Sequence, residues 1–446
     1  MTEPTQSKPT QSKPIRPRER DAIVAALRAG VVPRTGQQHV QVGRVAEVQA
    51  VLHDIERIAD GGSSSRFVIG EYGSGKTFFL HLARSIALEK RLVTMHADLA
   101  PDRRLQATSG RARALYAELT RNLATRSRPD GGAMGAVVER FVTQALGQAR
   151  AEGSDPASVI ATRLETLTES TGGYDFAHVV GRYWHGHDGG DDQLKADAVR
   201  WLRGEFSTRA DARRALGVRT VVDDGNYYDQ LKLMSRFVVL AGYDGLLICL
   251  DEMVSLYKLS NAQARMANYE QLLRILNDSL QGSAAHLGFL FGGTPEFMLD
   301  TRRGLFSYPA LASRLAENSF AAPELVDHSG PVLRLASLSP EDLYVLLTKL
   351  RHVFAAGDPG RYLVPDEALT RYMEHCARRI GNTYFRTPRE TIKGFLDLLA
   401  LLDQHPELDW RSLIGDVVPV PAPTDTPETD TPETVDLDDE LSSFQL

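Results

Sequence analysis

Residues 66–84, RFVIGEYGSGKTFFLHLAR, constrain the fold more than any other stretch of this 446-residue chain. An apolar run that reads as a buried strand leads into Gly70-Glu71-Tyr72-Gly73-Ser74-Gly75-Lys76-Thr77, and a helical pattern follows. The eight residues satisfy G-x-x-x-x-G-K-[ST] in full, within the strand–loop–helix context the motif requires. Glycines let the backbone wrap closely around an anion, where a Cβ would clash. The N–H groups of the loop and of the helix start then point at a phosphate. On this reading Gly70, Gly73, Ser74 and Gly75 cradle the phosphates. Lys76 neutralises the β and γ groups, and the Thr77 hydroxyl is offered to Mg²⁺.

Such a loop needs a second carboxylate on a neighbouring strand. GLLICLDEM (245–253) supplies it, as an apolar run ending in Asp251-Glu252. A run of this kind is expected in the middle of a parallel sheet, with ligands at its C-terminal end. Asp251 is assigned to Mg²⁺, and Glu252 to polarising the attacking water. A further strand, in HLGFLFGGTPEFM, ends at Thr294, which either faces the γ-phosphate or caps the next turn. Arg314, in LFSYPALASRLAE, is either a finger reaching a neighbouring subunit's nucleotide or a solvent-facing helix residue, with Arg302 and Arg303 as rivals.

The ends have a different composition. Residues 1–20 repeat TQSKP and turn basic, and read as a disordered arm. Residues 417–446 carry eight acids and no Lys or Arg, so the net charge of −7 becomes −7 − (−8) = +1 for the rest. This acidic tail reads as disordered, either a solubilising extension or a docking peptide anchored by Leu441, Phe444 and Leu446. No apolar run reaches the ~18 residues of a membrane span, and no secretory signal opens the sequence, which fits a cytoplasmic protein. Two distant cysteines, Cys249 and Cys376, support neither a disulfide framework nor a zinc site. RYWHGHDGGDD offers His185, His187, Asp191 and Asp192 as a weak metal-ligand set.

About 140 mostly helical residues separate a second strand, RLVTMHADL, from the Asp251 strand. One helix is expected to cover the sheet and the others to form an inserted subdomain. The stretch DLAPDRRLQATSGRARALYAEL, with Arg103, Arg104, Arg111 and Arg113, either faces DNA phosphates or is a solvated helix face.

The order of Gly43-Arg44 with its helix, the phosphate loop, Asp251-Glu252, Thr294 and SRL resembles AAA+ ATPases of the origin-recognition type. The resemblance implies a three-layer α/β sandwich with a parallel sheet, ATP rather than GTP, and a C-terminal helical lid. It implies that Gly43 and Arg44 lie at the nucleotide, and that Arg389 (or Arg386) is a lid arginine touching the γ-phosphate. LRLASLSPEDLYVLLTKLRHVF and GNTYFRTPRETIKGFLDLLALL resemble the lid helices. The domain division expected is an ATPase domain over 21–330 with its insertion at about 100–240, then a lid over 331–416. The winged-helix module usual after that lid is not expected, since DQHPELDWRSLIGD alone separates lid from tail.

More narrowly, ALRAGVVPRTGQQHVQVGR, RFVIGEYGSGKTFFL and LEKRLVTMHADLAPDRRLQA resemble ATP-binding proteins of BREX-type phage-defence clusters, the BrxD group in particular, over roughly residues 20–410. The first functional reading is a homo-oligomeric ATPase of a defence system that acts on DNA or positions a partner helicase or nuclease. The alternative is a slow nucleotide switch that binds protein partners without DNA.

Overall fold

In a computed structural model, described over residues 15–106, 109–316, 318, 326–380 and 388–415, the chain builds one five-stranded sheet. Helices α1 (Pro17–Arg28) and α2 (Val45–Ala59) precede strand β1 (Ser63–Ile69). Helix α3 (Lys76–Glu89) then leads to β2 (Val93–Asp98). Seven helices follow: α4 (Arg111–Arg121), α5 (Met134–Glu152), α6 (Pro156–Thr168), α7 (Gly173–Gly189), α8 (Asp192–Leu202), α9 (Arg209–Leu216) and α10 (Tyr227–Leu240). Next come β3 (Leu246–Asp251), α11 (Val254–Tyr257), α12 (Ala262–Gln281), β4 (Leu287–Gly293), α13 (Pro295–Leu299) and α14 (Pro309–Arg314). Strand β5 (Val332–Arg334) and helices α15 (Pro340–Phe354), α16 (Asp366–Ile380), α17 (Pro388–Gln404) and α18 (Trp410–Gly415) complete the described chain.

The strands lie in the order β2-β3-β4-β1-β5, every pair parallel. Parallel strands need layers on both faces, which explains their unbroken apolar runs. In β3, Leu246, Ile248 and Leu250 face a core shared with Phe237, Tyr269 and Phe289. Leu247 and Cys249 face the opposite layer, where α2 and α3 contribute Val51, Ile55, Phe79 and Ala83. The result is the three-layer sandwich of a P-loop NTPase-like fold.

The helices between β2 and β3 do not form a subdomain with its own core. Trp201 of α8, Phe176 of α7 and Phe141 of α5 belong to the same apolar cluster as Phe289 and Phe291 of the sheet. The insertion is therefore a thickening of one face of the sandwich.

Two expected boundaries move. Helix α1 opens at Pro17, with proline in the first turn where its missing N–H costs nothing, so residues 17–20 are helical rather than part of an arm. Strand β5 belongs to the sheet, so the lid helices start at Pro340 and not at 331. Helix α15 is opened by a capping box between Ser339 and Asp342. The acidic tail and the first 14 residues lie outside the described residues.

The N-terminal segment packs with the lid. Ile15, Ile23 and Val40 share a core with Leu347, Leu350, Phe395 and Leu399. Arg28 pairs with Asp397 at 2.8 Å, and the Lys349 ammonium donates to the Gln41 carbonyl. The two cysteines are buried and free. No described helix is long and apolar enough to cross a membrane. Ile23→Ala, at a fully buried position of this second core, is expected to cost about 2–4 kcal/mol. It should lower the urea midpoint and open residues 30–43 to limited proteolysis.

Candidate nucleotide-binding site

The glycine loop turns as its sequence requires. Gly73 and Gly75 have φ of 77° and 88°, where side chains are strained. A Cβ on Gly70 would lie 2.5 Å from Ser74 Oγ and 3.1 Å from the Leu335 carbonyl. Gly75 caps α3, so Lys76 and Thr77 form the first turn and their N–H groups face the hollow of the loop. Lys76 Nζ donates to the carbonyls of Gly70 and Glu71, both at 2.9 Å. Burial holds the Lys76 pKa below its ordinary value, against the opposing pull of Asp251 and Glu252.

Thr77 Oγ1 donates to Asp251 Oδ2 at 2.7 Å, joining the loop to the tip of β3. Asp251 is buried, and its Oδ1 accepts from the Glu252 N–H at 2.9 Å. Gly292 on β4 makes the room: a Cβ there would stand 2.4 Å from Asp251 Oδ1. Glu252 has φ of 55°, an uncommon conformation for a residue with a side chain, and its carboxylate is exposed to the cleft. Burial, then Asp251, then Asp98 push its pKa up. Asp98, at the tip of β2, stands in register with Asp251 and is likewise pushed up, by burial and by Asp251.

The Thr77 hydroxyl and the Asp251 carboxylate are hard-oxygen donors of the kind Mg²⁺ takes. The residues fit that ion: Thr77 and Asp251 already converge, and the glycine at 292 preserves the space. Ser74 Oγ is buried with no protein partner, a donor left over inside the loop.

A cleft of about 250 Å³ runs from this loop toward the lid. Its apolar end is lined by Val31, Val32, Val40 and Val42 of the strap after α1, by Phe78 of α3, and by Leu338, Leu346 and Ile392 of the lid. A planar apolar base fits there and phosphates fit at the loop.

The other assigned residues separate into two groups. Arg44 lines the cleft, but its Nη2 donates to the carbonyls of Ser74 (2.6 Å) and Ala336 (3.1 Å), bracing the loop. Gly43 does not line the cleft; a Cβ there would meet Asp342 Oδ1 at 3.1 Å. Arg389 lines the cleft, with Nε on the Gly30 carbonyl at 2.8 Å and Nη1 3.3 Å from the Tyr72 hydroxyl. Its rival Arg386 lies outside the described residues. Thr294 is outside the cleft lining and caps α13, accepting from the Phe297 N–H at 3.4 Å. Arg314 is exposed, with Nε on Asn277 Oδ1 at 2.7 Å and Nη1 on the Ala310 carbonyl at 3.0 Å. Arg303 is held by the carbonyls of Tyr257 and Leu259.

Of the basic stretch, Arg103 lies 3.8 Å from Glu118, and the backbone N–H groups of Gly110 and Arg113 are capped by Asp224. The histidine-rich segment does not gather: His187 pairs with Glu139, Asp191 caps α8 and Asp192 pairs with Lys195. Among the described residues no group of three or more His, Cys, Asp or Glu converges as a metal site.

Asp98, Tyr72 and the valine strap were not singled out from sequence. Asp98 had a signal, an apolar strand ending in an acid as β3 does. The strap had only paired valines.

A strand–glycine loop–helix facing an acid-tipped parallel strand defines a P-loop nucleotide-binding protein. The chain matches the family of BREX system ATP-binding proteins BrxC/D over residues 15–418, and it belongs to that family. It is thus a phage-defence ATP-binding protein. No curated protein matches the chain.

Gly292→Ala should rotate the Asp251 carboxylate off Thr77. The expected outcome is a drop of about tenfold, ~1.4 kcal/mol, in Mg²⁺-dependent nucleotide affinity by calorimetry, with the far-UV circular dichroism unchanged.

Proposed function

We propose that this chain is an AAA+-type, Mg²⁺-dependent ATPase that couples hydrolysis to the placement of a partner on DNA. The observation that carries the hydrolytic part is the Thr77–Asp251 hydrogen bond, with Glu252 beside it at the cleft. The N–H groups at the start of α3 and the Lys76 ammonium receive the triphosphate. When phosphates arrive, Lys76 exchanges two loop carbonyls for anionic oxygens, a stronger class of hydrogen bond. Mg²⁺, held by Thr77 and Asp251, would supply charge neutralisation across the β and γ groups. Glu252 then takes a proton from water as general base. Burial in the cleft wall, then crowding by Asp251 and Asp98, raises its basicity.

Arg389 reaches the loop at Tyr72 and the strap at Gly30, and reports closure through them. Arg314 acts across a subunit interface in the homo-oligomer we propose; its partner Asn277 is readily exchanged, as both stand at the surface of α12 and α14. Thr294 acts through the turn it caps, at the tip of β4 beside β3. Contacts to DNA, to a helicase or nuclease of the defence system, and through the acidic C-terminal tail as a docking peptide complete the proposal.

Lys76→Ala is expected to abolish ATP binding by calorimetry. Glu252→Gln should keep binding and lose hydrolysis by about 10²–10⁴-fold in phosphate release; normal release would remove Glu252 from the base role. Mixing Arg314→Ala with Lys76→Ala subunits should restore part of the activity. No rescue at any ratio would exclude a finger acting in trans.

A further inference from the structure

Away from the cleft, α3 and β2 enclose a second group of polar side chains that the nucleotide site does not use. Thr77, His81 and Arg84 stand at i, i+4 and i+7 on α3, so they form one stripe along the helix. Thr77 serves Asp251, and the two residues that follow point at the edge of the sheet. On β2, Thr94 and His96 alternate onto the same face, His96 being in register with Cys249. The His81 and His96 rings lie edge to face, with centroids 6.0 Å apart.

Arg84 is 8% exposed, and among the described residues no carboxylate lies within 4.0 Å of it. Its Nη1 donates to His81 Nδ1 at 3.3 Å, an arrangement that requires the His81 nitrogen to be unprotonated. Three buried polar atoms have no protein partner: Arg84 Nε, His96 Nδ1 and Thr94 Oγ1. Exposed Arg34 adds positive charge felt at His81, and Asp130 is the acid near enough to be felt at Arg84. Both histidines are held neutral, His81 at about 4 and His96 at about 3, by burial first and then by Arg84 and Arg34.

A buried guanidinium with no counter-charge is a costly arrangement, because its lost hydration is not replaced. The usual resolution, an acid in ion-pair contact, is missing among the described residues, and Asp130 acts only from farther off. The vacant donors are of the kinds that grip an oxyanion, a guanidinium N–H and a hydroxyl, with imidazole N–H groups close by. We propose that the seam between α3 and β2 is a binding site for a small oxyanion of the phosphate class, held by Arg84 and flanked by His81 and His96. Its occupant neutralises Arg84 and accepts from the donors that have no protein partner. Because the site lies on the helix that carries Lys76 and Thr77, occupancy there stiffens the element that presents the phosphate loop. The proposal does not depend on the nucleotide reading.

The test uses the full chain carrying Lys76→Ala, so that phosphate at the glycine loop does not contribute. Inorganic phosphate is titrated at constant ionic strength set with sodium chloride, and acetate is titrated in parallel as the carboxylate probe. Histidine ring NMR, assigned with His81→Gln and His96→Gln, should show the ring signals of both residues shifting in a saturable way at fixed pH, with phosphate acting at lower concentration than acetate. At about tenfold the dissociation constant the melting temperature should rise by ~2 °C, and Arg84→Met should remove that rise. Acetate acting as strongly as phosphate would reassign the site to a carboxylate and overturn the phosphate class. Neither anion moving the histidine signals would mean the seam holds water alone. The NMR reading is made with Arg84 intact, so it decides the matter even if Arg84→Met fails to fold.

Discussion

One hydrogen bond, 2.7 Å from Thr77 Oγ1 to Asp251 Oδ2, ties together parts of the chain 174 residues apart. It exists because β4 lies between β1 and β3, and because β4 carries Gly292 at the point where the Asp251 side chain must pass. A side chain at 292 would push the carboxylate away from the loop. The strand order, a glycine on a strand that bears no functional group, and the first turn of α3 are thus parts of one arrangement. The insertion between β2 and β3 does not disturb it. Its helices pack onto the face opposite α3, so extra length thickens that layer and leaves the strand tips where they are.

Glu252 follows from the same tip. The chain must leave β3 sharply, yet the Met253 N–H still bonds to the Gly292 carbonyl at 3.0 Å. Both conditions are met with φ of 55° at Glu252, a conformation that costs on the order of 1 kcal/mol for a residue with a Cβ. A glycine or asparagine would relieve the strain. Glutamate there places a carboxylate on the cleft wall, where burial and two neighbouring acids favour proton uptake. Strain and crowding at one residue, next to a well-satisfied aspartate, are what a base at a strand tip requires.

The sheet and its loop were legible in sequence because a buried parallel strand and a glycine turn each impose a local pattern. Leu246 to Asp251 reads as a strand whichever partners it finds. The nucleotide's other wall was not legible, since it depends on contacts between distant segments. Nothing local in Val31, Val32, Val40 and Val42 says that they face α15 and α17. Residues 17–20 looked unfolded for a related reason: α1 is charged on one side, and the apolar residue that anchors it, Ile23, is buried in a core shared with distant C-terminal helices. Asp98 sits between these cases, because its strand was evident but its neighbour on the sheet was not. Arg314 and Thr294 were readable as residue types at plausible places. The geometry gives each a local bond, to Asn277 and to the Phe297 N–H, that sequence spacing does not reveal.

The two ends of the described chain form one body over the cleft. Arg28 meets Asp397 across 369 residues, Arg389 reaches Gly30, and Lys349 reaches Gln41. This body joins the sheet through few links. Gly43 and Arg44, consecutive residues with φ of 62° and 60°, form one link, and the segment after β5 forms the other. Arg44 spans them, with one guanidinium nitrogen on the loop at Ser74 and on Ala336. A base in the valine-lined end would therefore touch strap and lid, while its phosphates would touch the sheet. Its binding energy is spent in part on fixing two bodies relative to each other, which rises as RT ln(1 + [L]/Kd) with ligand concentration. The contacts of Arg28, Gly30 and Gln41 thus make the segment from Pro17 to Val42 part of the same body as α15 and α17.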